Sequence, residues 1–181
     1  MAIELIKIQE FDLEMIAKWR MLPDVTKYMY TDPKLTFNIQ LNWLKKINND
    51  NAVQYWIIKI DDTKIGVINI YDIDYENRRC SWAYYIGDTS FRGRGIATNL
   101  ECNIYDYVFH ELKLNKLCCE VFTFNERVIE IHKKFGSKIE GTLKNHIWKD
   151  KKPYDIVAMA ITKDIWEVTR HNFNYEKIYI E

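Results

Sequence analysis

The stretch Tyr84-Tyr85-Ile86-Gly87-Asp88-Thr89-Ser90-Phe91-Arg92-Gly93-Arg94-Gly95-Ile96-Ala97-Thr98 runs from an aromatic strand through a basic, glycine-rich turn into a helix. It constrains the fold more than any other segment, because such a turn must join the end of a strand to the start of a helix. Gly93 and Gly95 let the backbone take positive φ and come close to a ligand. The first N–H groups of the helix that follows have no intrahelical acceptor and favour anionic oxygen. Arg92 and Arg94 add fixed positive charge, so the segment reads as a cradle for a pyrophosphate.

Two common phosphate-binding patterns fail here. A Walker loop needs Lys-Ser or Lys-Thr after its last glycine, and the dinucleotide fingerprint needs a third glycine or alanine where Thr98 stands. What fits is Arg92-x-x-Gly95-x-Ala97, which resembles the Q/R-x-x-G-x-G/A signature of the GNAT superfamily of acetyl-CoA-dependent N-acetyltransferases. A second block, from Asn125-Glu126-Arg127-Val128 through His132-Lys133-Lys134-Phe135-Gly136 to Gly141, resembles that family's N-x-x-A-x-x-x-Y-x-K-x-G-F-x-x-x-G element. The likeness extends from Trp19-Arg20 to the segment between Trp148 and Ile161, nearly the whole chain.

The resemblance implies a cosubstrate, acetyl-CoA. Its pantetheine arm would lie along the backbone of Tyr84, Tyr85 and Ile86, with an N–H aimed at the thioester oxygen. Its phosphates would sit on Arg92, Gly93, Arg94, Gly95, Ile96, Ala97 and Thr98, with Asn125 and Lys134 as further contacts. The resemblance also implies that the strand before the cradle and the strand after its helix splay apart.

With 181 residues, 48% hydrophobic and 29% charged, the chain fits one globular domain over 1–181. The 26 basic and 26 acidic residues cancel, so no global field favours DNA, RNA or an anionic membrane. The N-terminus lacks a basic start before an apolar run, which points to the cytoplasm. Cys80, Cys102, Cys118 and Cys119 have no metal-ligand spacing, and adjacent Cys118 and Cys119 point to opposite faces of a strand. His110, His132, His146 and His171 are scattered, so no metal is expected.

Hydrophobic periodicity gives an alternation of strands and helices. Strands are expected over Ile3 to Ile8, Val53 to Ile60, Ile65 to Tyr71, Arg79 to Ile86 and Leu117 to Phe122, with a closing hairpin of Ile139 to Trp148 and Tyr154 to Ile161. Helices are expected after a cap at Asp12, after a cap at Thr36 with Phe37, Leu41, Leu44 and Ile47 on one face, over Ile96 to Glu111, and from Glu126 to Phe135 with Gly136 at C′. A last helix starts near Asp164. The mixture of meander and crossover elements predicts α+β, a largely antiparallel mixed sheet with helices on both faces.

Acetyl transfer to an amine needs a neutral amine, a stabilised oxyanion and a proton for the departing thiolate. His132 stands where the family often has Tyr, and with Val128, Ile131 and Phe135 it shares one helical face. It is a candidate general acid, with a buried packing histidine as the alternative reading. Glu120 is the candidate base, acting directly or through water, with a surface strand carboxylate as the alternative. Trp19, Arg20, Tyr28, Met29 and Tyr30 form an aromatic cluster suited to stacking on a sugar or base. Asp72, Asp74 and Glu76 make one turn acidic.

The run from Trp19 to Tyr30, followed by Leu35-Thr36 and Trp43, resembles the aminosugar N-acetyltransferases of the pseudaminic acid pathway, departing at Gln40 and His132. The acceptor this implies is the 4-amino group of a UDP-linked aminodideoxy sugar, attacked directly in a ternary complex. Ribosomal-protein N-terminal and polyamine acetyltransferases share both blocks, and a non-catalytic acyl-CoA sensor is the alternative of another class. The expected partners are a small-molecule amine and, at most, a second copy of the chain.

Overall fold

The computed structural model describes residues 2–181. In chain order come β1 (Ile3–Lys7), a 3-10 turn (Glu10–Asp12), α1 (Leu13–Arg20), α2 (Pro23–Thr26), α3 (Phe37–Asn48), β2 (Gln54–Ile60), β3 (Thr63–Asp74) and β4 (Arg79–Ile86). Then α4 (Ile96–Asp106) runs into a π-helical turn (Tyr107–Glu111), followed by β5 (Lys116–Phe122), α5 (Glu126–Lys134), β6 (Lys138–Lys149), β7 (Lys152–Thr162), α6 (Lys163–Thr169) and β8 (Tyr179–Ile180). The fold is α+β, with eight strands in a mixed, mostly antiparallel sheet. Residues 2–73, 82–95 and 178–181 form one compact unit, and 74–81 with 96–177 form a second.

In the first unit β1 pairs antiparallel with β2, Leu5 opposite Ile58, and β2 pairs antiparallel with β3. Leu5, Ile57, Ile58, Ile65, Ile68 and Ile70 are fully buried, each β-branched or leucine side chain worth about 1.5–3 kcal/mol when removed from water. On one face Leu13, Ile16 and Leu44 pack on Ile57 and Val67, with Trp19, Trp43, Tyr55 and Tyr85 around them. The end of β4 is fixed to β3, because the Ile65 carbonyl accepts from the N–H groups of both Gly87 and Asp88. Gly66 is required there, since a Cβ at that position would collide with the Tyr85 carbonyl oxygen.

The structure corrects several local expectations in this unit. Asp12 does not cap α1 with its side chain. It is buried, accepts from the Gln9 N–H at 3.0 Å and pairs with Lys64. Thr36 does cap α3, its hydroxyl accepting from the Ile39 N–H, but Phe37 is exposed and Gln40 is buried in its place. Helix α2, begun by Pro23 at its first turn, was not expected. Neither was β8, which adds to β1 in parallel through Glu4 and Leu5.

In the second unit β5 is the pivot. It pairs along its whole length with antiparallel β7, from Lys116 opposite Thr162 to Phe122 opposite Ile156, and β7 pairs with β6. It also pairs in parallel with the start of β4, Arg79 opposite Lys116, Cys80 opposite Leu117 and Ser81 opposite Cys118. Tyr105, Phe109, Phe135 and Trp166 are fully buried in this unit, with the Tyr105 and Trp166 rings 5.1 Å apart edge to face.

Candidate active site

The cradle has the conformation its sequence demands. Gly93 and Gly95 have φ of 80° and 77°, in the region where an L side chain is strained. A Cβ at either would meet no protein atom within 4 Å, so these glycines serve the backbone path and not internal packing. Residues 92 to 95 are exposed and α4 begins immediately after them, at Ile96. The guanidinium of Arg92 donates to the Ile86 carbonyl at 3.0 Å and lies 3.7 Å from Asp24; that of Arg94 lies 4.7 Å from the Phe91 ring centroid. The segment therefore offers an exposed glycine-rich backbone, a helix start and two guanidinium groups, donor types that suit the diphosphate of CoA. Ile96 is buried and anchors the helix, while Ala97 and Thr98 are half-buried.

Upstream, Tyr84 and Tyr85 point to opposite faces of β4. Tyr84 stacks with Trp82 at 5.6 Å, and Tyr85 joins the aromatic layer of the first unit. Burial pushes the Tyr85 phenol up from its ordinary range, against the pull of Arg20. Arg20 itself is half-buried: loss of solvent lowers its pKa, and Tyr85 and Asp32 oppose that shift. Its guanidinium donates to the Thr31 hydroxyl at 3.1 Å and the Thr31 carbonyl at 3.4 Å, which leaves donors of its fork to spare. Trp19 covers Gly87 so closely that any Cβ there would drive into the indole. Among the remaining acceptor candidates Tyr28 is exposed, with the Lys27 ammonium 4.9 Å from its ring centroid, and Met29 and Tyr30 are half-buried. Of the five, Trp19 packs in the same layer as Tyr85 and Arg20 acts on the Tyr85 phenol.

His132 is buried, as its helical face required, and it is not alone. Its Nδ1 lies 3.1 Å from both carboxylate oxygens of Glu101, with hydrogen-bond geometry to Oε2. Tyr105 donates to the same Oε2 at 2.9 Å and meets the Ser137 hydroxyl at 3.2 Å. The thiol of Cys119 is a further hydrogen-bond partner of the His132 ring. Burial alone would lower the imidazole pKa, but the hydrogen bonds to Cys119 and Glu101 and the Glu101 charge more than offset it and raise it to about 10.

Local sequence builds this cluster. Glu101 and Tyr105 are one turn apart on α4. Gly136, at φ 101°, ends α5 in a Schellman motif in which the Ser137 N–H bonds to the His132 carbonyl and the Gly136 N–H to that of Lys133. Cys119 lies on the inward face of β5 with Leu117 and Val121.

Glu101, Tyr105, Cys119 and Ser137 were not among the expected site residues. A signal existed for Glu101, a carboxylate set inside the apolar register of Ala97, Leu100, Ile104 and Val108. Glu120 is exposed and, by strand alternation, faces away from the Cys119 side of β5. Asn125 occupies the N-cap of α5, and its side chain makes no cap hydrogen bond. Lys134 is exposed, its ammonium 5.7 Å from the Phe135 ring centroid. No helix among the described residues is long and apolar enough to cross a membrane.

Comparison with known proteins agrees with this geometry. Residues 3–138 match the acetyltransferase (GNAT) domain. The chain is 29% identical to the acetyltransferase PseH of Campylobacter jejuni over 134 residues, covering 71% of this chain and 82% of that protein. It is 24% identical to the spermidine N(1)-acetyltransferase of Escherichia coli over 160 residues, 88% of this chain and 86% of the other. Among solved structures, the spermidine N-acetyltransferase of Vibrio cholerae in complex with CoA and spermine superposes with a TM-score of 0.85 at 22% identity, covering 91% of this chain and 98% of that one.

Proposed function

Because the chain belongs to the GNAT acetyltransferase family, and so moves acetyl from acetyl-CoA to the amine of a small molecule, we propose that its acceptor is the 4-amino group of a UDP-linked aminodideoxy sugar. The observation that carries this reading is the half-buried Arg20 within the aromatic layer of Trp19, Tyr55 and Tyr85. A partly desolvated guanidinium with unused donors favours a diphosphate and repels a polycation. Of the acids near this layer, Asp24 faces Arg92 and Asp32 faces Arg20, while Asp50 and Asp72 act on Tyr55. In the acidic turn, Asp74 is already taken up by the Asn77 N–H at 2.8 Å and the Asn77 amide at 2.7 Å.

The spermidine acetyltransferase identity, which spans more of the chain, makes a polyamine the second reading. A thiol-release screen with UDP-aminosugars, spermidine and a ribosomal N-terminal peptide separates them. Turnover of a UDP-aminosugar, with a larger rise in acceptor KM than in acetyl-CoA KM on Arg20→Ala, is the expected result. Turnover of spermidine or the peptide alone would remove the assignment, and CoA binding without any turnover would indicate a sensor.

Within the single catalytic domain we assign the phosphates of CoA to the Arg92 to Thr98 segment, the pantetheine arm to the β4 backbone and Asn125, and Lys134 to a peripheral contact. His132 is assigned as donor of the proton that the leaving thiolate takes. Glu120, on the solvent side of β5, relays the proton of the amine to water. Trp19, Arg20 and Tyr30 line the acceptor.

A further inference from the structure

Helix α3 buries a polar residue that the fold itself leaves unpaired. Gln40 shares the buried stripe of the helix with Leu44, keeps 5% of its exposure, and its Oε1 has no hydrogen-bond partner. A neutral carbonyl oxygen held away from water without a donor is destabilising, whereas an apolar side chain of the same shape carries no such penalty. One other buried side-chain oxygen among the described residues is in this position, Oε1 of Glu101, and it has the His132 ring 3.1 Å away. The surroundings of Gln40 follow from two ties between α1 and α3. At the end of α1 the Met21 thioether accepts from the Leu35 N–H at 3.3 Å, just before α3 begins, and further in, Ile16 and Leu44 belong to one packed cluster. Gln40 lies between these ties, one turn before Leu44, so it faces the turn of α1 that carries Trp19 and Arg20.

We propose that Gln40 selects the acceptor: its Oε1 accepts a hydrogen bond from a neutral O–H or N–H group of the nucleotide sugar, a hydroxyl or the uracil N–H. The proposal rests on the reading of the acceptor as a UDP-linked aminosugar. Arg20 and Gln40 then divide the ligand by chemistry. The guanidinium has only donors, part of its fork being engaged by Thr31, and it suits a diphosphate, which has only acceptors. The amide oxygen needs the opposite, a donor, and the neutral parts of a nucleotide sugar supply one. A protonated polyamine also has donors, but each comes with a positive charge that the guanidinium repels. An acceptor with no donor at this point would leave the buried oxygen unpaired, and such a site rejects it more strongly than an apolar pocket would. The oxygen that weakens the free protein is the one that discriminates between ligands.

The test sets stability against binding in the whole chain. Gln40→Met keeps the length of the side chain and removes its polar end. Its urea midpoint should equal or exceed that of wild type, while KM for the UDP-aminosugar rises by about 3- to 10-fold, the factor for one lost hydrogen bond. The kcat and the KM for acetyl-CoA should stay as they are. Inhibition by UDP then locates the donor: weaker inhibition of Gln40→Met puts it on the uridine, and unchanged inhibition beside a raised KM puts it on the aminosugar. Gln40→Leu repeats the measurement with a second apolar shape. An unchanged KM overturns the role of Gln40 alone. So does a lowered midpoint, or failure to fold, in both variants, because the amide would then be serving the free protein. If wild type turns over no UDP-aminosugar, the acceptor reading falls and the proposal with it.

Discussion

The exposed turn from Arg92 to Gly95 and the buried pair of Glu101 and His132 are both charged, and the chain has only a few residues between the first and the start of the second. The turn keeps its charges in water, where each is inexpensive and weakly coupled to its neighbours. In the pair, water is gone, and the hydrogen bond from Cys119 together with a carboxylate 3.1 Å away decides whether the histidine is charged. A third set sharpens the contrast. His110, on the π-helical turn, lies 2.6 Å from Glu167 and 3.5 Å from Asp106, with Arg170 3.3 Å away, but all four side chains keep between 25% and 41% of their exposure. Histidine beside carboxylate is therefore no fixed device. Desolvation turns the same two groups from a screened surface contact into a switch on charge.

The comparison predicts a ranking of effects. Removing the ring at the buried pair should act on two readouts at once. His132→Phe strands the Glu101 carboxylate and should cost about 3–5 kcal/mol of unfolding free energy, and, in the protein that remains folded, should lower kcat by about 10²-fold, the low end for lost general acid catalysis. Denaturant titration and steady-state rates check both. Wild-type stability with an unchanged kcat would return His132 to a packing role.

The next effect is on the pH dependence of stability. The folded-state pKa of His132 is raised, from about 6.5 in an unfolded chain to about 10. Its contribution is therefore complete below pH ~6.5 and is lost as pH rises toward ~10. Urea midpoints measured from pH 6 to 10 should fall more steeply for wild type than for His132→Gln, and parallel curves would contradict the pairing.

The exposed turn should behave in the opposite way. Replacing Arg92 and Arg94 together by Ala should weaken acetyl-CoA binding by about 1–3 kcal/mol, the range for lost charge-assisted hydrogen bonds, while the unfolding midpoint stays put. A large loss of stability with unchanged affinity by calorimetry would invert the contrast. The smallest effect belongs to the surface histidine: Glu167→Gln should change stability by no more than roughly 1 kcal/mol, and a loss like that of His132→Phe would show that exposure is not what separates the two histidines.

Much of the fold was legible because it rests on local rules. Beta alternation set β4 at Arg79 to Ile86 to the residue, Thr36 and Gly136 marked helix ends through their capping chemistry, and the two glycines of the cradle announced a backbone conformation that other residues resist. The motif spacing, read with these, was enough for the family and its cosubstrate. What failed were places where a distant partner overrides local preference. Asp12 looked like a cap and was drawn inward by Lys64, 52 residues away. Phe37 fitted an apolar stripe but gave its place to Gln40.

The amino-acid sequence by itself determined the strand, glycine turn and helix that make the cradle, since φ preferences and unsatisfied helix N–H groups are properties of a few consecutive residues. It also placed His132 on an inward face. Only the tertiary structure decided what that face meets. Glu101 is 31 positions away from His132 along the chain, and no periodicity can say that a carboxylate on one helix and an imidazole on another will share a site without water. The charge of the histidine follows from that meeting, because the energy of a proton on a buried ring is set by the nearest fixed charge and by the solvent that has been excluded.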